Sequence, residues 1–197
     1  MLRYLSTLLI IISLCVSAAF AGTVEDADAA MARKDYEVAL RKFKLAAIFG
    51  EEYAQFQVGN IYREGLGLKQ DFSEAVHWYK LAAIQGNAAA QTNLGVMYGF
   101  GWGVTQDYAE EVRWYKLAAA QGYVSAQYNL GHMYRSGKGV PQDFIRAYMW
   151  LNLAAMDGNV VHVTNRDEML EKMSPQQIAE AQKLSRECQA RNFKNCD

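Results

Sequence analysis

The stretch Asn87–Gly122, NAAAQTNLGVMYGFGWGVTQDYAEEVRWYKLAAAQG, decides the fold, because it stands between two further versions of itself. Glu51–Gly86 precedes it and Tyr123–Gly158 follows it without a gap, each 36 residues long with the same residue types at the same offsets. A chain that repeats at this period is an array of one supersecondary unit, not a single enzyme-like core. Arrays of this kind present a surface, so the sequence argues for binding and leaves the ligand open.

Each copy reads as two helices. In the first, Ala54, Val58, Ile61 and Tyr62 recur at i, i+4, i+7 and i+8, a single apolar stripe. Gly59, Gly95 and Gly131 lie inside that helix at a cost of about 1 kcal/mol each relative to alanine. The same cost in every copy predicts that a neighbouring backbone or ring needs the space. In the second helix Ala75, Trp78, Tyr79, Ala82 and Ala83 keep the helical period, small residues alternating with large rings. Trp78, Trp114 and Trp150 recur with the repeat and are expected in the core. Gly65-Leu66-Gly67-Leu68, Gly101-Trp102-Gly103-Val104 and Gly137-Lys138-Gly139-Val140 connect the helices, the first glycine of each placed for a left-handed C-cap. Asp71, Asp107 and Asp143 are N-caps for the second helices, and Gly86, Gly122 and Gly158 close them. One hairpin cannot bury its own apolar face, whereas a stack of hairpins can.

These residues (Ala-Gln…Leu-Gly…Tyr, Gly-x-Gly-Val, Gln-Asp-[Phe/Tyr], Trp-Tyr and Ala-Ala…Gly, as in Asn87–Gly122) resemble the Sel-one-like repeat family, a relative of the tetratricopeptide repeats. With its flanking units the resemblance runs from about Ala30 to Ser185. It implies an all-α fold, a right-handed α/α superhelical solenoid of helical hairpins that serves as an adaptor or recognition module without catalysis. Two departures stand out: Glu111 replaces the alanine of Ala75 and Ala147, leaving a helix-packing contact in doubt, and Leu151 replaces the second aromatic.

The ends read differently from the array. Residues 1–21 carry Arg3, the apolar run Leu8-Leu9-Ile10-Ile11-Ile12 and the small-residue site Ala19-Phe20-Ala21, a signal peptide cleaved between Ala21 and Gly22. The run is too short to favour a membrane span. Leu14 before Cys15 opposes lipidation, which wants a small residue there. The expected localisation is therefore periplasmic or secreted, with no stable membrane insertion after cleavage. Residues 22–50 form an N-terminal capping hairpin, Ala27–Arg33 with Asp35–Gly50, lacking the Gly-x-Gly loop. The three copies occupy 51–158, and residues 159–197 are capping helices and tail. There, Asn165 with Glu168 and Ser174-Pro175 with Gln177 are read as capping boxes, the second opening a helix from Pro175 to Cys188. Cys188 and Cys196 are the only cysteines after processing, and in an exported chain such a pair reads as a disulfide before a metal site. The 176 residues left by removing 21 from 197 argue by size for one domain, and the capped ends for a monomer.

Charge and motifs narrow the classes. Removing Arg3 from 20 basic residues leaves 19 against 21 acidic, which gives no general attraction for nucleic acid. His77, His132 and His162 show no metal-ligand spacing, and Gly99-Phe100-Gly101-Trp102-Gly103 lacks the lysine and serine of a phosphate loop. No Gly-x-Ser-x-Gly or Ser-x-x-Lys nucleophile occurs. No catalytic residue, metal or cofactor is therefore assigned.

Positions that vary while the scaffold repeats are the ones free for recognition. In the first helices these are Tyr53, Phe56, Gln57, Asn60 and Arg63, then Ala89, Thr92, Asn93, Val96 and Gly99, then Ser125, Tyr128, Asn129, His132 and Arg135. Trp102, whose counterparts are Leu66 and Lys138, adds a non-repeating ring in a loop. Resemblance places the first helices of such solenoids on the concave side, and so implies a groove that binds a peptide or protein partner. It also implies alternatives: a periplasmic immunity-type protein neutralising a toxic effector, or an enzyme interacting with β-lactams, which the lack of paired cysteines in each repeat opposes.

Overall fold

The structure, a computed structural model, describes residues 22–196. Residues 1–21, read above as a signal peptide ending at Ala21, lie outside the described residues. Among those residues every regular element is a helix: α1 (22–32), α2 (Tyr36–Ile48), α3 (Glu52–Glu64), α4 (Phe72–Ile84), α5 (Ala88–Phe100), α6 (Tyr108–Ala119), α7 (Val124–Ser136), α8 (Phe144–Ala154), α9 (Val160–Asp167) and α10 (Pro175–Ala190). Each copy is one hairpin: α3–α4, α5–α6 and α7–α8. Within the described residues two compact units result, 22–82 and 83–196, with the division inside α4. Chain length argues for one domain, but in an array each hairpin packs on its sequence neighbours, so compactness is local.

Local chemistry sets the helix ends. Asp71 Oδ1 accepts from the Ser73 and Glu74 amides at 3.0 Å each, and Asp107 Oδ1 from Ala109 and Glu110 at 2.9 and 3.1 Å. Asp143 accepts from the Arg146 amide at 2.9 Å. The aspartate N-caps read from sequence are therefore in place. First helices close on Gly65, Gly101 and Gly137 at φ of 68°, 70° and 72°, a left-handed conformation that costs least without a Cβ.

Packing explains the helical glycines. A Cβ on Gly59 would stand 2.6 Å from the Tyr79 ring, and one on Gly95 2.6 Å from the Tyr115 ring. At Gly131 the neighbour is Leu151, 2.7 Å away, so the aromatic seat is filled by an aliphatic residue where the sequence departs. Trp78, Trp114 and Trp150 are all buried. Trp78 joins Phe43, Val58 and Ile61 in the core of the first unit, and Trp150 joins Leu130, Met149 and Leu151 in that of the second. In the first two copies the repeated glutamine ties a first helix to the preceding second helix: Gln55 Nε2 donates to Ala47 O at 3.1 Å, and Gln91 Nε2 to Ala83 O at 3.0 Å, whereas Gln127 Nε2 is buried without a partner.

The C-terminal end closes the second unit. Ser174 and Gln177 form the reciprocal capping box expected at the start of α10, with Pro175 in the first turn. The other expected box is absent. Asn159 caps α9 by accepting from the Val161 amide, while Asn165 lies inside that helix and donates to Val161 O. The physical reason is that the array's 36-residue register carries one step further and starts a helix at residue 160, before Asn165 is reached. α10 packs on α8, where Ser185 Oγ bonds to Met149 O at 3.3 Å, and Leu153 is buried. Its counterparts Leu45, Leu81 and Leu117 are exposed. Cys188 and Cys196 are disulfide-bonded with Cα atoms 5.1 Å apart. The loop they close bends through Asn192, Phe193 and Asn195, all at positive φ, and seats the Phe193 ring 2.9 Å from where Gly122 would carry a Cβ.

Two outcomes are expected from denaturant unfolding. Gly95→Ala lowers stability by about 1–3 kcal/mol through overpacking against Tyr115, although the same change in an open helix interior would raise it by about 1 kcal/mol. A gain in stability would show that the ring is not seated there. Replacing Cys188 and Cys196 together with serine lowers stability by about 2–3 kcal/mol. No loss would mean that the tail is held by packing alone.

Candidate functional site

In the first unit the variable face of α3 is a connected hydrogen-bond track. Tyr53 Oη donates to Asp28 Oδ1 at 2.9 Å, Gln57 Nε2 donates to Tyr53 Oη at 2.6 Å, and Asn60 Nδ2 donates to Gln57 Oε1 at 3.0 Å. Tyr79 Oη, from the paired helix, donates to Asn60 Oδ1 at 2.7 Å. Burial, the largest influence, raises the Tyr53 hydroxyl above its ordinary range. Phe56 lies half-buried with its ring 6.0 Å from that of Tyr79. Arg63 pairs with Glu64 at 2.6 Å and keeps a buried Nε without a partner. The face is polar, half-buried and ordered by its own bonds.

The second unit arranges its residues differently. Thr92 is only 6 % exposed and donates its hydroxyl to Ala88 O at 2.8 Å, so it serves the helix and not a contact surface. It faces inward because the helix turns it toward the core. Val96 is half-buried against the hydrophobic cluster. Tyr128 stands between two imidazoles, 4.4 Å from the His132 ring and 4.7 Å from that of His162 on α9. His162 in turn meets Asp157 at 2.9 Å. Arg135 reaches Glu168 at 3.4 Å. Trp102 stacks on Phe100 with centroids 4.7 Å apart and planes within 18°, and the two remain 40 % and 65 % exposed.

Three of these side chains, Phe100, His132 and Arg135, line a cavity of about 390 Å³ that also takes in Gly99, Gln106, Tyr108, Glu111 and Lys138. Its floor is Glu111, 8 % exposed, which α6 projects toward α5. Glu111 fits because α5 has glycine opposite: a Cβ on Gly99 would lie 2.5 Å from the carboxylate. In the other copies the same two positions hold Arg63 with Ala75 and Arg135 with Ala147. The middle copy thus exchanges an arginine on the first helix for a glutamate on the second. Burial holds the Glu111 carboxyl above the usual carboxylate range, against the opposing pull of the Tyr115 hydroxyl bonded to it and of the Lys138 charge. Tyr115 links onward to Asn129, and burial raises its own hydroxyl.

Sequence reading had singled out Val96, Asn129, His132, Arg135 and Trp102, and the fold gathers His132 and Arg135 on the cavity. It had not placed Glu111, Phe100, Gln106 or Lys138 there. The available signal was the paired departure at positions 99 and 111, two residues that share one space. Among the described residues, no group of three His, Cys, Asp or Glu side chains is placed to hold a metal ion. No helix among them is long and apolar enough to cross a membrane.

His132 gives the site a pH signature. Burial, helped by Arg135 and opposed by Glu168, depresses its imidazole from 6.5 to about 4. The folded chain therefore holds it neutral while the unfolded chain takes up the proton, so between pH 6.5 and 4 this residue costs stability as pH falls. His132→Asn, which installs the residue of the first copy, is expected to make thermal stability less sensitive to acid over that window. Parallel pH profiles for the two proteins would show the imidazole to be solvated instead.

The model of the family described as Sel1 repeat matches residues 52–87, 88–123 and 124–159. Among curated proteins none matches. Two solved structures are similar. One is a protective antigen present in uropathogenic Escherichia coli strains displaying an SLR fold, 32% identical with a TM-score of 0.75, over 81% of this chain and 34% of that one. The chain thus spans about a third of that antigen's length. The other is a Sel1 repeat protein from Oxalobacter formigenes, 38% identical with a TM-score of 0.60, over 66% of this chain and 97% of that one.

Proposed function

We propose that this chain, which belongs to the Sel1 repeat family, is an exported interaction module that holds a peptide or protein loop against the variable faces of its first helices. Sel1 repeats are a protein-interaction fold, generally without catalysis. The observation that carries the reading is the division of labour within each copy. Repeated residues such as Gly95, Trp114 and Ala118 are buried for cohesion, while Tyr53, Phe56, Tyr128, His132 and Arg135 vary and keep partial exposure. Tyrosine and arginine are the residues most often carrying binding energy at interfaces. Export is supported by the Cys188–Cys196 disulfide and by the charge and apolar pattern of residues 1–21.

In-cell cross-linking followed by mass spectrometry should capture an envelope or secreted protein. Tyr128→Ala combined with Arg135→Ala should weaken that complex at least about tenfold at unchanged helicity, the loss expected for two interface anchors. Unchanged affinity would move the contact surface off α7.

A further inference from the structure

We infer that the cavity floored by Glu111 is the pocket that selects a basic side chain, lysine or arginine, from the segment this module binds. The inference rests on the interaction reading above and specifies which residue of the partner enters where. Four observations carry it.

The first is the buried carboxylate. Glu111 is 8 % exposed, and the hydroxyl of Tyr115 bonds to it. A carboxylate offers about four acceptor positions. Removing such a group from water is costly unless a partner meets it, and an ammonium or guanidinium entering the cavity would supply one.

The second is that the neighbouring cations have partners besides Glu111, although the Lys138 charge also acts on it. Arg135 reaches Glu168 at 3.4 Å, and the Lys138 ammonium lies 5.3 Å from the centroid of the Tyr108 ring. His132 is neutral at pH 7, and its buried Nε2 has no hydrogen-bond partner, so it can accept from an incoming N–H. Glu111 and His132 thus place two acceptors in the lining, beside the Arg135 and Lys138 cations.

The third is shape. Phe100 lines the cavity with its ring 65 % exposed and stacked on Trp102. Such a platform suits the long aliphatic stem or guanidinium plane of a basic side chain, with the charged head beyond it. An acidic side chain is too short to use the platform and would meet Glu111.

The fourth is the sequence itself. Arginine with alanine is the pattern of the other two copies, Arg63 with Ala75 and Arg135 with Ala147. Gly99 with Glu111 abandons it and reverses the charge presented there.

The test uses the full chain and four small probes: the Nα-acetyl amides of arginine, lysine, citrulline and glutamate. Citrulline keeps the shape of arginine without its charge. Binding is read from the indole N–H resonance of Trp102, assigned with Trp102→Phe, and by calorimetry. The arginine and lysine probes should shift that resonance and bind at least about tenfold more tightly than citrulline. Glu111→Gln should reduce them to the citrulline level. So should Gly99→Arg combined with Glu111→Ala, which restores the pattern of the flanking copies and keeps the helicity. Equal binding of arginine and citrulline, or unchanged binding by Glu111→Gln, overturns the assignment. Preference for the glutamate probe also overturns it and gives the pocket to Arg135 and Lys138. A cross-linked partner lost with Tyr128→Ala but retained with Glu111→Gln would leave the interaction reading standing and remove this one.

Discussion

The array depends on one steric constraint: the first helix of each hairpin must present no side chain where the second helix lays its own against it. Gly59 and Gly95 receive the rings of Tyr79 and Tyr115, and Gly131 receives Leu151. A bare backbone at that point lets the two helices approach closely enough for Trp and Ala to interlock behind them. The conformational penalty of a mid-helix glycine is offset by burial of the facing side chain, of the order of 1.5–3 kcal/mol for a full-sized apolar residue. Aspartate caps and glycine turns then fix where each helix begins and ends, so the hairpin repeats with the same geometry.

Most of this was legible in the sequence because repetition separates the residues a scaffold needs from those it does not. Three copies agree at Ala54, Gly59, Trp78 and Asp71 and their equivalents, and these residues are buried or capping. The capping box at Ser174 was legible for the same kind of reason, since proline and glutamine occupy fixed offsets from the cap. Asn165 misled because a box is a local pattern, and the helix it would have opened had already been started by Asn159, which the repeat register places at the next cap. A local signal yields to a periodic one when both claim the same residues.

The site was less legible. Variation at a position says that the scaffold tolerates change, not that the side chain faces outward. Thr92 varies and is buried; Tyr53, Gln57 and Asn60 vary and satisfy one another. What single positions do not reveal is pairing across a hairpin. Gly99 and Glu111 are 12 residues apart, and only the close contact of α5 with α6 makes them one feature.

That shared space also constrains history. If the copies descend from one ancestral unit with arginine and alanine, as two of the three retain, one order of change in the middle copy is less strained than the other. A side chain at position 99 would force the end of a glutamate at 111 to move, because even a first methyl group would stand 2.5 Å from the carboxylate. Loss of the arginine to glycine leaves only a vacancy, which a helix tolerates at about 1 kcal/mol. The route through glycine first is the less strained, since the acidic residue then enters room already cleared. Duplication supplies the spare copy in which such a temporarily unfavourable step is survivable.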